Sequence, residues 1–362
     1  MSELDTKFAQ IQALLEKHQL DAMYLARISS FAWATCGAAS YINTATNTGE
    51  AALLITKTGR YLITNNIEAV HYDKEEKLKE QGWEFELNPW FQSSDALQRR
   101  TGGMKLGADI SMPGAVDLGD EIAELRMNLL PEEVARYREV SRLCAEAMEV
   151  ATRAARPGMS EYELAGRLAQ ESYNREVLPI VALIATDERI FGVRHPLPTS
   201  KKLDKYGMLI MCGRKYGLVT SVTRLVHFGP LTDEIKRKQD LVVKVDAQVI
   251  AGTRPGATLG DMFGKIQQAY ASVGYPEEYR LHHQGGPGGY EPREFIAKPG
   301  LPQKVAANQA YAWNPTITGT KVEDTVLITE NGHEVMTEMA NWPMIDVVVD
   351  GKTIRRPAIL EA

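Results

Sequence analysis

The sequence contains one phrase twice, and this repetition constrains the fold more than any other feature. Residues 156–160 are Arg-Pro-Gly-Met-Ser and precede the segment EYELAGRLAQESY. Ninety-eight positions later, residues 254–258 are Arg-Pro-Gly-Ala-Thr and precede LGDMFGKIQQAY. In both copies Pro-Gly ends one helix and a Ser or Thr caps the next, and Ser160 with Glu163 forms a capping-box pattern. The repeat is too long for a solenoid unit, so it predicts two similar α+β halves that face each other across a shared site.

The segment before the repeat has a different pattern. Apolar residues between Leu4 and Leu15 recur at helical spacing, and strand-like runs follow at 21–26, 51–56 and 61–64. A long helix is predicted after Leu130, with Pro131 in its first turn. A chain of 362 residues is also too long for one typical core. We therefore predict an α/β N-terminal domain at residues 1–129 and a duplicated α+β domain at residues 130–362.

Charge and composition exclude several classes of protein. A net charge of −6 and a pI near 5.8 argue against nucleic acid or an anionic membrane as a partner. No run approaches the roughly 18 apolar residues that span a bilayer, and the charged N-terminus does not resemble a secretory signal. The three cysteines, Cys36, Cys144 and Cys212, do not suggest a disulfide framework or a metal finger. We expect a cytoplasmic enzyme that acts on a small molecule.

Four phrases in the second domain carry side chains suited to catalysis. Histidine exchanges protons near neutral pH, and glycines let the backbone approach a ligand closely. The phrases are RHPLPT at 194–199, MCGRKYGLVTSVTR at 211–224, LHHQGGPGGY at 281–290, and the pair Asn314-Pro315 with KVEDT at 321–325.

In this order and spacing the phrases resemble the creatinase, aminopeptidase P and prolidase family (M24), which has the pita-bread fold. The resemblance covers essentially the whole chain and rests on the Pro-Gly-Met-Ser-Glu helix start, the His-x-x-Pro-Thr phrase and the Glu-Asp-Thr-Val-Leu strand. It implies an α/β N-terminal domain followed by a duplicated pita-bread domain. Peptidases of this family hold two metal ions with five ligands: two Asp on a hairpin, one His and two Glu.

The hairpin of this chain lacks both acids. The first Asp of the family pattern falls on Cys212, or on Met211 if the following glycine is aligned instead, and the second falls on Ser221. A cysteine in an apolar strand is more often a small core residue than an exposed nucleophile, and we expect that for Cys212.

The other three ligand positions retain one acid. The family histidine corresponds to His283, with His282 as the alternative, and the two glutamates correspond to Asn314 and Glu323. Divalent ions need anionic oxygen ligands, so this set predicts that the metal has been abandoned. The remaining alternative is one zinc ion on Cys212, His283 and Glu323.

Loss of the metal does not exclude catalysis, because creatinase has the same fold, uses no metal and hydrolyses a C–N bond with a histidine as proton shuttle. That histidine corresponds to His195 here. The resemblance then implies His195, His283 and Glu323 as catalytic residues, with His283 and Glu323 holding the substrate or tuning His195.

Further residues are predicted to bind the substrate. Arg293, Arg224 and Arg27 are candidates for a substrate carboxylate, and Arg224 is alternatively the ion-pair partner of Glu323. Arg27 stands where related enzymes bring a residue from the partner subunit, which implies a homodimer. Tyr290 occupies the place of a second family histidine. The remaining predicted contacts are from His282 and Asn314.

The leading hypothesis is a metal-independent hydrolase without a cofactor that cleaves a C–N bond in a small, carboxylate-bearing substrate; a lyase is the variant of this hypothesis. One alternative is an Xaa-Pro dipeptidase or aminopeptidase with an altered metal site, which metal analysis would reveal. The other is a catalytically inactive binding protein of the same fold, which an inconsequential substitution of His195 would favour.

Overall fold

The computed structural model describes residues 1–92 and 95–362. It divides into two compact units, Met1–Arg126 and Met127–Ala362. Each unit has its own sheets and is described separately below. Within the described residues no helix is both long and apolar enough to cross a membrane.

The first unit is built on a six-stranded mixed sheet. Its strands are β1 Ala22–Arg27, β2 Thr48–Thr56, β3 Arg60–Asn65, β4 Glu84–Asn88, β5 Leu106–Ala108 and β6 Ala115–Asp117. They lie in the order β4-β3-β2-β1-β5-β6, and only the β1–β2 and β2–β3 pairs are antiparallel. Its helices are α1 Glu3–Lys17, α2 Ile28–Ala34, α3 Ala69–Lys74, α4 Ala96–Thr101 and α5 Gly119–Met127. The helix and the three strands predicted from periodicity are confirmed, and β2 starts three positions earlier than predicted.

The second unit contains the repeat. Its helices are α6 Pro131–Arg153, α7 Glu161–Tyr173, α8 Glu188–Gly192, α9 Asp233–Gly252 and α10 Leu259–Ser272, with a 3-10 turn at Glu278–Leu281. Its strands are β7 Leu178–Thr186, β8 Tyr206–Lys215, β9 Leu218–His227, β10 Gly285–Gly288, β11 Ala310–Trp313, β12 Thr316–Ile317, β13 Thr320–Lys321, β14 Asp324–Thr329, β15 Gly332–Val335, β16 Met344–Val349, β17 Lys352–Pro357 and β18 Leu360–Glu361.

The two halves of this unit repeat the same local hydrogen bonds, which confirms the duplication. Gly158 N donates to the carbonyl of Leu203 at 2.8 Å, and Gly256 N donates to that of Val305 at 2.9 Å. Both glycines are left-handed, with φ of 89° and 94°, a conformation that side chains disfavour. The predicted capping box at Ser160 is also present. The repeated Pro-Gly phrase therefore specifies a turn that starts an equivalent helix in each half.

Two four-stranded sheets form the interior, one from each half, and the C-terminal strand β18 is added to the first of them. The first-half sheet has the order β18-β9-β8-β7, and the second-half sheet has the order β10-β11-β14-β15. Helices α6 and α7 pack on the first sheet, and apolar residues of α9 and α10 share a core with β11 and β14. The halves meet where an isolated bridge joins Thr223 of β9 to Glu323.

Candidate active site

His195 lies on the loop between α8 and β8, and a buried glutamate fixes that loop. Glu161, the first residue of α7, accepts hydrogen bonds from the Thr199 amide at 2.9 Å and the Thr199 hydroxyl at 2.7 Å. It also accepts from the Thr186 amide and pairs with Arg189. These contacts hold the His-Pro-Leu-Pro-Thr phrase against β7, while the His195 side chain remains exposed.

The second histidine phrase follows the 3-10 turn and enters β10. Gln284 Nε2 donates to the carbonyl of His282 at 2.7 Å, and Tyr270 Oη donates to Gln284 Oε1 at 2.9 Å. A Cβ on Gly285 would lie 2.0 Å from the carbonyl oxygen of Ala312, so this close approach of strands requires glycine. The glycine run thus places both histidines at the edge of the second-half sheet.

The three histidines form one cluster. Nε2 of His282 lies 3.1 Å from Nε2 of His195, so one ring donates a hydrogen bond to the other. The His283 ring stacks on His195 with centroids 5.5 Å apart and 26° between planes. The sequence left open which of the two adjacent histidines faces the site; the structure brings both to His195 and gives the hydrogen bond to His282.

Burial keeps these imidazoles neutral near pH 7. It lowers the pKa of His282 far below the usual range, with the Lys321 charge acting in the same direction. Burial and the Arg293 charge lower the pKa of His283 to about 4. The pKa of the exposed His195 is also lowered, by partial desolvation and then by Lys321, with Glu323 opposing the shift. All three rings therefore offer lone pairs at neutral pH.

Glu323 is buried between two cations beside the cluster. Its Oε1 lies 2.8 Å from Arg293 Nη2, and its Oε2 lies 2.7 Å from Lys321 Nζ. Thr223 Oγ1 donates to Oε2 at 2.6 Å. Burial opposes ionisation, but Lys321 and Arg293 outweigh it and hold the pKa of Glu323 well below its usual value. The carboxylate is therefore charged across the physiological range.

Cys212 and Ser221 face each other across the hairpin. They are paired in register, with Cys212 Sγ 3.4 Å from Ser221 Oγ. Ser221 Oγ accepts a hydrogen bond from Arg293 Nη1 at 2.9 Å, so the hairpin contributes to the charged group. Burial, followed by the Glu323 charge, raises the pKa of the Cys212 thiol. The buried, protonated thiol agrees with the expectation that Cys212 is a small core residue. A protonated thiol is also a poor nucleophile.

Asn314 and the two adjacent histidines present unpaired polar atoms. Asn314 follows β11 and is 3% exposed. Its main-chain N donates a hydrogen bond to the main-chain carbonyl of Gln284 at 3.2 Å. Within the described residues its Oδ1 has no hydrogen-bond partner, nor do Nδ1 of His282 and Nδ1 of His283. Since an unpaired buried polar atom is costly, these atoms are suited to receive a polar ligand.

Two predicted substrate contacts lie elsewhere. Arg224 is buried on the opposite face of β9 from Thr223 and pairs with Asp324 at 2.7 Å, because successive strand residues alternate between faces. The predicted alternative, an ion pair of Arg224 with Glu323, is wrong for the same reason. Tyr290 is 1% exposed, and its hydroxyl donates to Glu133 of α6 at 2.6 Å. Both side chains serve the interior of the second unit.

Arg27 belongs to the first unit. It ends β1, and its Nε donates to the main-chain oxygen of Asp109 at 2.9 Å. Its predicted reach into a partner subunit, and the homodimer that this implies, stay predictions.

Sequence reasoning missed Lys321 and Thr223. Lys321 stands two positions before Glu323, and Thr223 two positions after Ser221. In extended chain, residues at this spacing project from the same face, so alternation around the predicted site residues was the signal that could have identified both.

The residues at the family's five metal positions do not fit two divalent ions. Four of them, Cys212, Ser221, His283 and Asn314, are neutral, and the thiol is protonated. Each oxygen of the one carboxylate already binds a cationic side chain. Hard divalent cations require several anionic oxygens, so this set opposes the two-metal arrangement. The one-zinc alternative on Cys212, His283 and Glu323 meets the same obstacles.

One other set of ligand atoms is present among the described residues. His195, His282 and His283 each offer a nitrogen, and these nitrogens lie within 4.8 Å of one another. Three imidazoles are a known zinc ligand set. The neighbouring Lys321 and Arg293 charges act against a cation there.

Comparisons with known proteins agree with this architecture. Residues 135–330, just over half of the chain, match the model of metallopeptidase family M24. An uncharacterized peptidase of Staphylococcus haemolyticus is 25% identical over 235 residues, which cover 61% of this chain and 65% of that protein. The match therefore spans less than two thirds of the relative.

Solved structures show the same fold. The prolidase of Pyrococcus horikoshii superposes with a TM-score of 0.76 at 19% identity, covering 92% of this chain and 98% of that one. An Xaa-Pro dipeptidase of Bacillus anthracis gives 0.75 at 17% identity, covering 99% and 100%. This likeness confirms the pita-bread architecture with its α/β N-terminal domain.

Proposed function

Because the chain belongs to metallopeptidase family M24, we propose that it is a hydrolase of C–N bonds that works without a resident metal ion. Its proton carriers are His195 and His282, and its substrate is a small molecule bearing a carboxylate. The observation that supports this most directly is the 3.1 Å contact between their Nε2 atoms, beside a carboxylate already neutralised by two cationic side chains.

The histidine pair supplies acid and base in turn. A neutral imidazole takes a proton from water as the water oxygen bonds to the electrophilic carbon of the substrate. The imidazolium then returns that proton to the leaving nitrogen as the C–N bond breaks, so acid and amine products balance the added water. Such transfer contributes about two to four orders of magnitude in rate.

His195 is suited to contact the reacting atoms because it is the exposed member of the pair. His282 is 7% exposed, and its Nε2 shares a hydrogen bond with Nε2 of His195. This bond fixes the orientation of the His195 ring and provides a path for its proton. The sequence predicts that His283 is catalytic. We propose that its ring stacks on His195 and that its Nδ1 binds the substrate.

The charge of the site supports an anionic substrate. Arg293 and Lys321 carry two positive charges, Glu323 carries one negative charge, and the histidines are neutral. The net charge of the site is therefore positive. The terminal nitrogens of Arg293 are engaged by Glu323 and Ser221, but its buried Nε has no hydrogen-bond partner among the described residues. A substrate carboxylate would meet a net positive surface bordered by Asn314.

The test is hydrolysis of a panel of Xaa-Pro dipeptides, N-acyl amino acids and guanidino acids by protein purified without chelator. We expect turnover of one class of these substrates and a metal content far below one ion per chain. Dialysis against a chelator should not lower the activity. Stoichiometric zinc or manganese, with activity abolished by chelation, would overturn the proposal.

An Xaa-Pro peptidase is the second candidate, and its support is the likeness to structures titled prolidase and Xaa-Pro dipeptidase. Turnover confined to Xaa-Pro dipeptides would favour it. A protein that turns over none of the panel and binds a ligand equally well after His195→Ala would instead be a binding protein of this fold.

A further inference from the structure

Lys321 is a buried cation in contact with the single carboxylate of the site. It is 4% exposed, and the charge on its Nζ is balanced by Glu323 Oε2 at 2.7 Å. An ammonium has three donors, and among the described residues Glu323 is the one acidic partner the structure gives it. Burying a lysine costs free energy unless its charge is compensated, and Glu323 provides that compensation here.

Arg293 contacts the other oxygen of the same carboxylate. Its Nη2 lies 2.8 Å from Glu323 Oε1, and its Nη1 donates to Ser221 Oγ at 2.9 Å. Arg293 therefore joins two of the five positions at which the family holds metal, one from each half of the repeat.

Two side-chain cations contact the one remaining carboxylate, whereas the family pattern has two metal ions. The family pattern balances two divalent ions with four carboxylates and a histidine. Here one carboxylate remains, and each of its oxygens binds one side-chain cation. We propose that Lys321 and Arg293 are the chain's own substitutes for the two metal ions.

The two cations have different tasks, and this step rests on the proposed hydrolase function. Arg293 is a positioning residue, because its terminal nitrogens are committed to Glu323 and Ser221. Lys321 is the catalytic electrophile, since its ammonium has three donors and Glu323 Oε2, at 2.7 Å, is the one acidic partner among the described residues. Its ammonium stabilises the negative charge that develops on the substrate when water adds, as a metal ion would.

Mn²⁺ binding, measured by electron paramagnetic resonance, tests the substitution without using any substrate. The first variant restores two family acids through Cys212→Asp and Ser221→Asp and keeps both cations. The second adds Lys321→Gln and Arg293→Gln. We expect bound Mn²⁺ at submillimolar concentration in the second variant alone. Equal binding by both, or by neither, would overturn the proposal. His195→Ala in the second background should leave Mn²⁺ binding unchanged, because the restored site uses His283 without His195; a loss of binding would instead place the ion on the three-histidine set.

The kinetics of single variants test whether Lys321 is the electrophile. This test does not depend on whether the multiple variants fold. Lys321→Gln should lower kcat by about 10²–10³-fold, the range for loss of one charge-stabilising donor, and Lys321→Arg should retain most of the activity. Unchanged kcat in Lys321→Gln, with native circular dichroism, would remove Lys321 from catalysis. Failure of this arm alone leaves the hydrolase function standing, whereas absence of turnover in the wild type contradicts that function itself.

Discussion

The imidazoles of His195 and His282 meet through their Nε2 atoms at 3.1 Å, although the residues are 87 positions apart in sequence. One lies on a loop of the first half of the duplicated domain, and the other lies at the start of the glycine run in the second half. The contact therefore forms only when the two halves are joined, and so does the proton-carrying pair that we propose.

Substitution of either member of this pair should abolish most activity. We expect His195→Ala and His282→Ala each to lower kcat by about 10²–10⁴-fold, the range for general acid–base catalysis. Because residues that act as a unit are not additive, the double variant should be little worse than either single one. His71→Ala, at a half-buried histidine of the first unit, is the matched control. Fully additive losses would show that the two rings work separately.

Glu161 should control the position of His195 through the loop that it anchors. It is 0% exposed and accepts hydrogen bonds from Thr186 and Thr199 while pairing with Arg189. Glu161→Ala leaves these partners unpaired and should cost roughly 3–5 kcal/mol of unfolding free energy in urea, as for other broken buried ion pairs.

The milder Glu161→Gln should lower kcat with a smaller stability loss, because the loop loses its charged anchor. Glu163→Gln, on the exposed capping box of the same helix, is the control and should change neither stability nor kcat appreciably, because Gln also completes a capping box. An equal effect of the two substitutions on kcat would contradict a positioning role for Glu161.

The histidine cluster should make the protein sensitive to mild acid. Burial and the Arg293 charge lower the pKa of His283 to about 4 in the folded chain, whereas an unfolded histidine titrates near 6.5. The contribution of His283 to the free energy of unfolding is therefore fully present above pH 6.5. It decreases as the pH falls toward 4, by at most roughly 3 kcal/mol. Urea unfolding at pH 7.5, 6 and 5 should show a steeper decline for wild type than for His283→Asn. Parallel declines would contradict the neutral folded state of His283.

The cysteines should react unequally with a thiol reagent. Burial raises the pKa of both Cys144 and Cys212, while Cys36 is half-buried. We expect Ellman's reagent to modify no more than one thiol in the native protein and three in denaturant. Cys36→Ser should remove the native signal. Rapid native labelling of Cys212 would reopen its role as a nucleophile.

Much of the architecture could be predicted because it depends on local signals. The duplicated Pro-Gly phrase and its capping residues dictate a turn and a helix start wherever they occur, and the hairpin pairing of Cys212 with Ser221 follows from the two-residue connection between Lys215 and Leu218. The site was harder, because side-chain direction decides it. Arg224 and Tyr290 stand within site phrases yet point into the interior.

Lys321 shows the converse difficulty. A lysine in a strand is normally a solvated surface charge, and only the position of Glu323 two residues later suggests a shared face. Nothing local to residues 321–323 indicates that Arg293 approaches from the glycine loop. The charge balance of the site therefore emerges only from contacts between distant segments.

The bridge between Thr223 and Glu323 has a consequence for when the protein becomes active. These residues are 100 positions apart, and contacts of such separation form late because long loops must close first. During synthesis, a nascent chain that has released His195 and the whole first half still lacks the carboxylate, its lysine and the second histidine phrase. Hydrolytic activity should thus appear as one of the last events of folding, after most helices are in place. Recovery of turnover would then report completion of the native state more stringently than recovery of helical circular dichroism.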